Sequence, residues 1–213
     1  MEIELKYNIV DHTQMNTIWD DEYLKSIEEN DSRGTVHMKA VYFDTESLVL
    51  SKNFIAFRIR REGDRVIGTL KWGNDDDVAA TGLYVREEVN VPVKDDTCFL
   101  LPDPGIFHES REGKALLDLI DGAPLVCIFE TTFTRRKFRI DNGETICEVS
   151  FDEGEIRSGD DVMPISELEI ELFSGSQDEM IRIGEMLSQR YGLNPEKRSK
   201  YARGLMLTNL IQK

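Results

Sequence analysis

Polar and apolar residues alternate through the opening MEIELKY, with Glu2, Glu4 and Lys6 on one side and Ile3, Leu5 and Tyr7 on the other. A period of two is that of a β-strand, whose successive side chains point to opposite faces. The pattern recurs along the chain. Arg58 and Arg60 alternate with Phe57 and Ile59, and Thr69 and Lys71 with Leu70 and Trp72. Arg86 and Glu88 are set off by Val85 and Val89, and Arg135, Lys137 and Arg139 by Phe138 and Ile140. Glu148, Ser150 and Asp152 alternate with Val149 and Phe151; Glu167, Glu169 and Glu171 alternate with Leu168, Ile170 and Leu172. Glu87 falls on the apolar side of its strand and Arg136 interrupts the apolar side of its own, so both are expected on the outer face.

The strand-like runs after the first are HMKAVYFDT, NFIAFRIRREG, RVIGTLKWG, GLYVREEVNVPV, CIFETTFTRRKFRI, ICEVSFDEGEI and ISELEIELFSG. Turn signals at Asn142-Gly143 and Glu62-Gly63-Asp64 join neighbouring runs as hairpins, which favours an antiparallel sheet. Helical spacing of Met15, Ile18, Trp19 and Ile27 predicts a helix within DHTQMNTIWDDEYLKSIEEN, with Thr13 as its N-cap. A short helix is expected in GKALLDLID, and a longer one in SQDEMIRIGEMLSQRYG, with Gly192 as C-cap. The stretches 73–82 and 102–113 read as connections, and Asp75-Asp76-Asp77 within the first as a solvated charge run rather than a metal loop. The sum is a single α+β domain over residues 1–213, with about eight strands and a few helices.

Composition narrows the partners. Forty-one acids against 26 bases leave a formal charge of −15, a field that repels nucleic acid and anionic membranes. A small anion remains possible where bases gather locally or a metal mediates. Cys98, Cys127 and Cys147 are odd in number and widely spaced, which argues against structural disulfides and for a reducing cytoplasm. His12, His37 and His108 are isolated and lack zinc spacing. No apolar N-terminal stretch is long enough for a signal peptide or membrane span, so a soluble protein is expected.

One strand with a charged outer face is ordinary. Several strands whose charges segregate by sign are not. If the sheet closes with these faces inward, the apolar faces look outward and need cover from helices. Like charges crowded inside are costly unless ligands neutralise them. Carboxylates at that density suit a hard divalent cation, and clustered Arg and Lys suit phosphate oxygens. Together they point to phosphoryl chemistry. No Ser/His/Asp or Cys/His nucleophile arrangement is visible, which suits direct attack by water.

EIELK resembles the ExExK signature of the CYTH superfamily, the triphosphate tunnel metalloenzymes. In order along the chain follow YFDT (Tyr42 to Thr45), RxR at Arg58 and Arg60, and TxK at Thr69 and Lys71. REEVNV with Glu88, the basic strand at Arg135, EVSFDEGEI with Asp152, ELEIEL with Glu169 and Glu171, and SKYARG with Lys200 complete the set. The resemblance runs from about Glu2 to Gly204 and is strongest to the CYTH module of bacterial inorganic triphosphatases, through TGLYVREEVNV, DEGEI, ELEIELFSG and SKYARG. It implies an eight-stranded antiparallel β-barrel forming a tunnel with a charged interior, flanked by a few helices. Glu2, Glu4, Glu169 and Glu171 would bind the catalytic Mg²⁺ or Mn²⁺, with Asp152 and Glu88 supporting a second metal or positioning water. Lys6, Arg58, Arg60, Lys71, Arg135 and Lys200 would clamp the triphosphate; Lys137, Arg203, Arg86, Arg139 and Glu148 share the faces or motifs. Lys6, Arg58, Arg60, Lys71 and Asp152 would act on the reacting group.

The implied reaction is metal-dependent hydrolysis of inorganic triphosphate to diphosphate and phosphate. Within the family, class IV adenylyl cyclase, thiamine triphosphatase and nucleoside triphosphatase are alternatives; outside catalysis, the alternative is a polyphosphate- or nucleotide-binding module. A helical CHAD domain follows in many such proteins, so the chain is expected to be a stand-alone protein or a module of a longer one, monomeric or homodimeric. The first strand starts directly after the initiator methionine, and metal binding is expected to help order it.

Overall fold

The computed structural model describes residues 2–73, 82–94 and 96–208, at 96 the backbone alone; the Asp75-Asp76-Asp77 run lies outside the described residues. The strands are β1 (Glu2–Asn8), β2 (Gly34–Thr45), β3 (Ile55–Glu62), β4 (Arg65–Trp72), β5 (Leu83–Val93), β6 (Leu125–Asp141), β7 (Thr145–Ser158), β8 (Asp161–Gly175) and β9 (Asn194–Pro195). They are hydrogen-bonded in the order β5-β4-β3-β2-β6-β7-β8-β1, and β1 returns to β5, so eight antiparallel strands close into a barrel. The seam is short: Glu2 faces Arg86 and Leu5 faces Leu83, while on its other side β1 runs from Glu4 opposite Glu171 to Asn8 opposite Glu167. The two-residue β9 pairs with Tyr7 and Asn8 beyond the reach of β5. Gly63 and Gly143, with φ of 60° and 85°, make the tight β3–β4 and β6–β7 turns that their sequence signals predict.

Ile3, Leu5 and Tyr7 face outward. Leu5 and Tyr7 are buried with Phe138, Val149, Phe151, Leu168 and Ile170 beneath helices α1 (His12–Trp19), α2 (Glu22–Ser26) and α5 (Gln177–Tyr191), which contribute Met15, Ile18, Leu24, Met180, Ile183 and Leu187. Each such side chain contributes roughly 1.5–3 kcal/mol when fully buried. A second outer layer forms where α4 (Arg111–Ile120) packs Leu116 and Ile120 against Phe43, Phe57, Ile59 and Leu70. Phe107 joins it from a 3-10 turn over Pro104–Phe107, so the stretch 102–113 is more than a connection: it covers β3 and β4.

The helix expected across residues 11–30 is two helices. Asp11, not Thr13, caps α1 by accepting from the Gln14 amide; Asp21 restarts the chain as α2 by accepting from the Leu24 amide at 2.9 Å. Its carboxylate also takes hydrogen bonds from Arg190 and the Tyr191 hydroxyl of α5, which fixes the break. Gly192 ends α5 in the left-handed region (φ 64°) as expected.

Two further α-helices escaped the sequence pattern. The four-residue α3 (Val49–Lys52) follows β2, and α6 (Lys200–Leu207) ends the described chain. Helix α6 sits against the inward faces of the barrel at one end, where Leu205 packs with Met38, Ala40, Tyr42, Phe129, Phe133, Ile156 and Ile165. Gly204 makes the approach possible, because a Cβ there would overlap the Phe129 ring. Gly204→Ala is expected to cost about 1–3 kcal/mol, the usual range for overpacking, read as a lowered Tm in a thermal melt; an unchanged Tm would show that α6 is not seated on Phe129.

Candidate active site

The inward rows of charge meet around one cavity of about 300 Å³, within the range of small-ligand sites. Glu2, Glu4 and Lys6 from β1 line it with Arg58 and Arg60 from β3, Lys71 from β4, Arg86 and Glu88 from β5, Arg135 and Lys137 from β6, Glu148 from β7, Glu169 and Glu171 from β8, and Lys200 from α6. These groups fall into three sets with different states of neutralisation.

The first is the floor. Asp152, Glu167 and Glu169 bring carboxylate oxygens within 4.8 Å of one another. Left alone, they would repel. Instead, Arg135 donates to both oxygens of Asp152 at 2.7 Å and to Glu169 at 2.5 Å. Lys200 reaches Asp152, Glu167 and Glu169 at 2.8, 2.6 and 2.8 Å; Lys6 lies 3.0 Å from Glu169, and Arg203 pairs with Glu167. Burial alone would push Glu169 up, but Lys200, Lys6 and Arg135 outweigh it and hold the carboxyl well below its usual range. This acid triad is therefore already saturated by the chain's own bases.

The second set is the opposite wall. Arg58 donates to the Tyr42 hydroxyl at 3.2 Å, and the Nε atoms of Arg58 and Arg60 are buried without a partner among the described residues. Among the described residues the one carboxylate paired with either is Glu62, 3.8 Å from Arg60. Burial, followed by repulsion from Arg58 and Arg135, lowers the Arg60 guanidinium to about 10. Burial would also raise the Tyr42 hydroxyl, yet Arg58 outweighs it and draws the group below its ordinary value. Two largely buried cations facing the same space, with one distant carboxylate between them among the described residues, form a ready anion site.

The third set is acidic. Glu2 pairs with Lys71, which lies 3.0 Å from Glu88; Lys6 lies 3.2 Å from Glu4. Glu171 has no base partner among the described residues. Burial first, then the charges of Glu2 and Glu4, push Glu171 up to about 7. Oxygen donors that repel one another are the donor set a hard dication relieves, so these residues fit a divalent cation better than the saturated triad does.

The Glu171 shift gives a pH-dependent stability of definite sign. Between its ordinary 4.5 and about 7, folded Glu171 holds a proton that the unfolded chain has lost. Stability of metal-free protein is therefore expected to fall as pH rises through that window, by on the order of 2 kcal/mol. The fall should vanish in Glu171→Gln. Denaturant melts in chelator across pH 4.5–7.5 would read it, and identical slopes in both proteins would refute the assignment.

Of the residues picked out in sequence, Asp152 and Arg203 stand behind the wall: Asp152 is fully buried against Arg135 and Lys200, and Arg203 against Glu167. Arg139 does not itself line the cavity: it is exposed, stacked over Phe173 of the cavity rim and 3.4 Å from Glu29. Lys137 lines the cavity 2.8 Å from Glu148. Glu167, the deepest of its row, has no foreseen role yet anchors Lys200 and Arg203; its parity with Glu169 and Glu171 was the available signal. Tyr42 and Asn90 were also missed. Tyr42 shares the inward side of β2 with Met38 and Ala40, and Asn90 accepts from Thr69 and donates to Glu88, each at 2.7 Å.

The CYTH domain family profile matches residues 1–205. An inorganic triphosphatase from Haemophilus influenzae is 29% identical over 166 residues, 78% of this chain and 44% of that protein. The chain thus spans less than half the length of that relative. Among solved structures, a Hippeastrum protein described as an adenylyl cyclase candidate that reveals a dominant triphosphatase activity is 20% identical with a TM-score of 0.72, over 97% of this chain and 96% of that one. PH1819 from Pyrococcus horikoshii OT3 is 19% identical with a TM-score of 0.55, over 97% and 99%. At these identities the structural matches speak to the fold alone. No helix among the described residues is long and apolar enough to cross a membrane.

Proposed function

The chain belongs to the CYTH domain family, and we propose that it hydrolyses inorganic triphosphate to diphosphate and phosphate with Mg²⁺ or Mn²⁺. The observation that carries this reading is the opposition of two incomplete charge sets across one cavity. On one wall Arg58 has no carboxylate partner among the described residues and Arg60 only Glu62 at 3.8 Å; on another, Glu171 has no base partner among them, and Glu2 and Glu4 beside it share Lys71 and Lys6. A triphosphate with its divalent cation supplies both at once.

Arg58 and Arg60 would grip phosphoryl oxygens through their guanidinium forks, with Lys71, Lys137 and Arg135 flanking the rest of the chain of phosphates. Glu2, Glu4 and Glu171 would hold the cation. When bound, that cation supplies charge neutralisation on the phosphoryl oxygens and a nearby, more acidic water. Holding the substrate in line with the attacking water is the protein's main task, since phosphoryl transfer asks little covalent chemistry of it. Glu88 lies on the cavity wall where it could orient that water. Asp152 and Glu169 would act by fixing Arg135, Lys200 and Lys6, and Arg203 by holding Glu167 under Lys200.

A second reading has one observation in its favour: Phe54, Trp72 and Phe173 also line the cavity, and Phe54 and Phe173 are 56% and 45% exposed. Aromatic faces beside a triphosphate clamp would suit an organic triphosphate with a ring to stack. Purified protein incubated with triphosphate, ATP and thiamine triphosphate, each with Mg²⁺ or Mn²⁺, separates the readings. Phosphate release chiefly from triphosphate supports the first. Phosphate from ATP or thiamine triphosphate supports an organic substrate, cyclic AMP from ATP a cyclase, and tight binding without turnover a binding module.

A further inference from the structure

Behind the cavity wall, two base-bearing elements are pinned together by a string of hydroxyls. Asp44, at the end of β2, is fully buried and has no cation beside it among the described residues. Its Oδ1 accepts from the Thr45 and Leu50 amides at 2.7 and 2.8 Å. Its Oδ2 accepts from the Ser51 amide at 2.8 Å and the Ser51 hydroxyl at 2.5 Å. With the Ser51 proton committed to Asp44, Ser51 Oγ can only accept from the Tyr201 hydroxyl, 3.0 Å away. The Tyr201 proton is then shared between Ser51 Oγ and the carbonyl oxygen of Ile55, also at 3.0 Å. Burial keeps this phenol protonated by pushing it well above its usual range.

The chain positions at the two ends of this string give it meaning. Tyr201 follows Lys200 on α6, and Ile55 is the first residue of β3, three positions before Arg58. The Tyr201 ring is itself wedged beside Tyr42 and Phe129, with centroids 5.7 and 6.0 Å apart. Neither Asp44 nor Ser51 lines the cavity, whereas the Tyr201 side chain borders it. We propose that the Asp44–Ser51–Tyr201 string is a positioning device that sets the distance between Lys200 on the floor and Arg58 and Arg60 on the opposite wall. It rests on the reading of this cavity as a triphosphate site. Asp44 and Ser51 lie outside the cavity, and the Tyr201 hydroxyl is committed to Ser51 and the Ile55 carbonyl; the string acts through the bases it places. A misplacement of about 1 Å suffices to cost up to 10²-fold in rate, so one lost hydroxyl matters out of proportion to its hydrogen bond.

The test is a set of substitutions read in two ways. Tyr201→Phe keeps the ring stack and removes the hydroxyl; Ser51→Ala breaks the link to Asp44, and Ser51→Thr restores a hydroxyl. In the full chain, Tyr201→Phe and Ser51→Ala are expected to lower kcat for triphosphate roughly tenfold, and Ser51→Thr to recover most of it. In a Lys200→Met background, Tyr201→Phe is expected to lower kcat much less, because the group it positions is gone. Hydrogen exchange should quicken at the α6 amides in Tyr201→Phe. An equal loss in both backgrounds, a wild-type kcat in Tyr201→Phe, or unchanged exchange at α6 would overturn the proposal. If wild-type protein turned over no triphosphate, the functional reading would fall, and the exchange of α6 would alone uphold or overturn the anchoring.

Discussion

Arg58→Ala is expected to lower kcat/KM for triphosphate by about 10²–10³-fold, the loss of roughly 3–4 kcal/mol that follows removal of one preorganised charge donor. Its fold should suffer far less. Arg58 has no ion-pair partner among the described residues. Burial would lower its guanidinium, yet the Tyr42 hydroxyl and the charges of Glu2 and Glu88 outweigh burial and hold it above its ordinary value. In anion-free buffer the variant should therefore melt modestly below the wild-type temperature while its activity collapses. A kinetic loss much larger than the stability loss marks charge placed for a ligand rather than for the fold. Arg58→Lys should recover only part of the rate, since an ammonium cannot reproduce the bidentate fork. Steady-state kinetics beside thermal melts read both halves. Turnover within threefold of wild type, or a large stability loss without a kinetic one, would show that Arg58 does not grip the substrate.

Glu169→Ala should do the reverse. Glu169 answers three buried bases, Lys6, Arg135 and Lys200. Truncating one member of such a network leaves the others charged and unpaired, at a cost of about 3–5 kcal/mol. For a chain of this size that is a fall in Tm of roughly 10 °C. Added triphosphate or phosphate should return part of it, because a bound anion can stand in for the lost carboxylate. Glu171→Gln, by contrast, should leave stability at pH 7.5 unchanged or improved and weaken Mn²⁺ binding in titration calorimetry. If both substitutions behaved alike, floor and metal carboxylates would not be separate sets.

The strands and their inward charges were legible because a period of two survives in any single strand. Glu2 through Lys6, Arg58 with Arg60, and Glu169 with Glu171 were found that way, as was the outward turn of Ile3 and Leu5. What period cannot carry is who neutralises whom. Asp152 reads as an open acid in EVSFDEGEI, but register sets it opposite both Arg135 and Glu167, which draws it into the floor. Arg139 has the parity of Arg135 and Lys137 yet sits too far along β6 to reach the cavity. Helix α6 is short and sits on the open interior of a barrel, so its cover depends on closure and not on its own spacing. The break at Asp20-Asp21 depends likewise on Arg190 and Tyr191, distant in sequence.

The short seam at β1 also bears on how the molecule comes to be active. Of the neighbouring pairs that do not include β1, all save β2 with β6 join strands consecutive in sequence, whereas β1 must meet β5 and, across nearly all of the barrel's sequence, β8. Contacts of such separation carry a large loop-closure entropy and form slowly. Glu2, Glu4 and Lys6 ride on that strand, so a barrel open at this seam holds Arg58, Arg60 and Lys71 but neither its first carboxylates nor Lys6. Catalytic competence then appears together with the last ring-closing step, and recovery of activity becomes a clock for the end of refolding rather than for its middle.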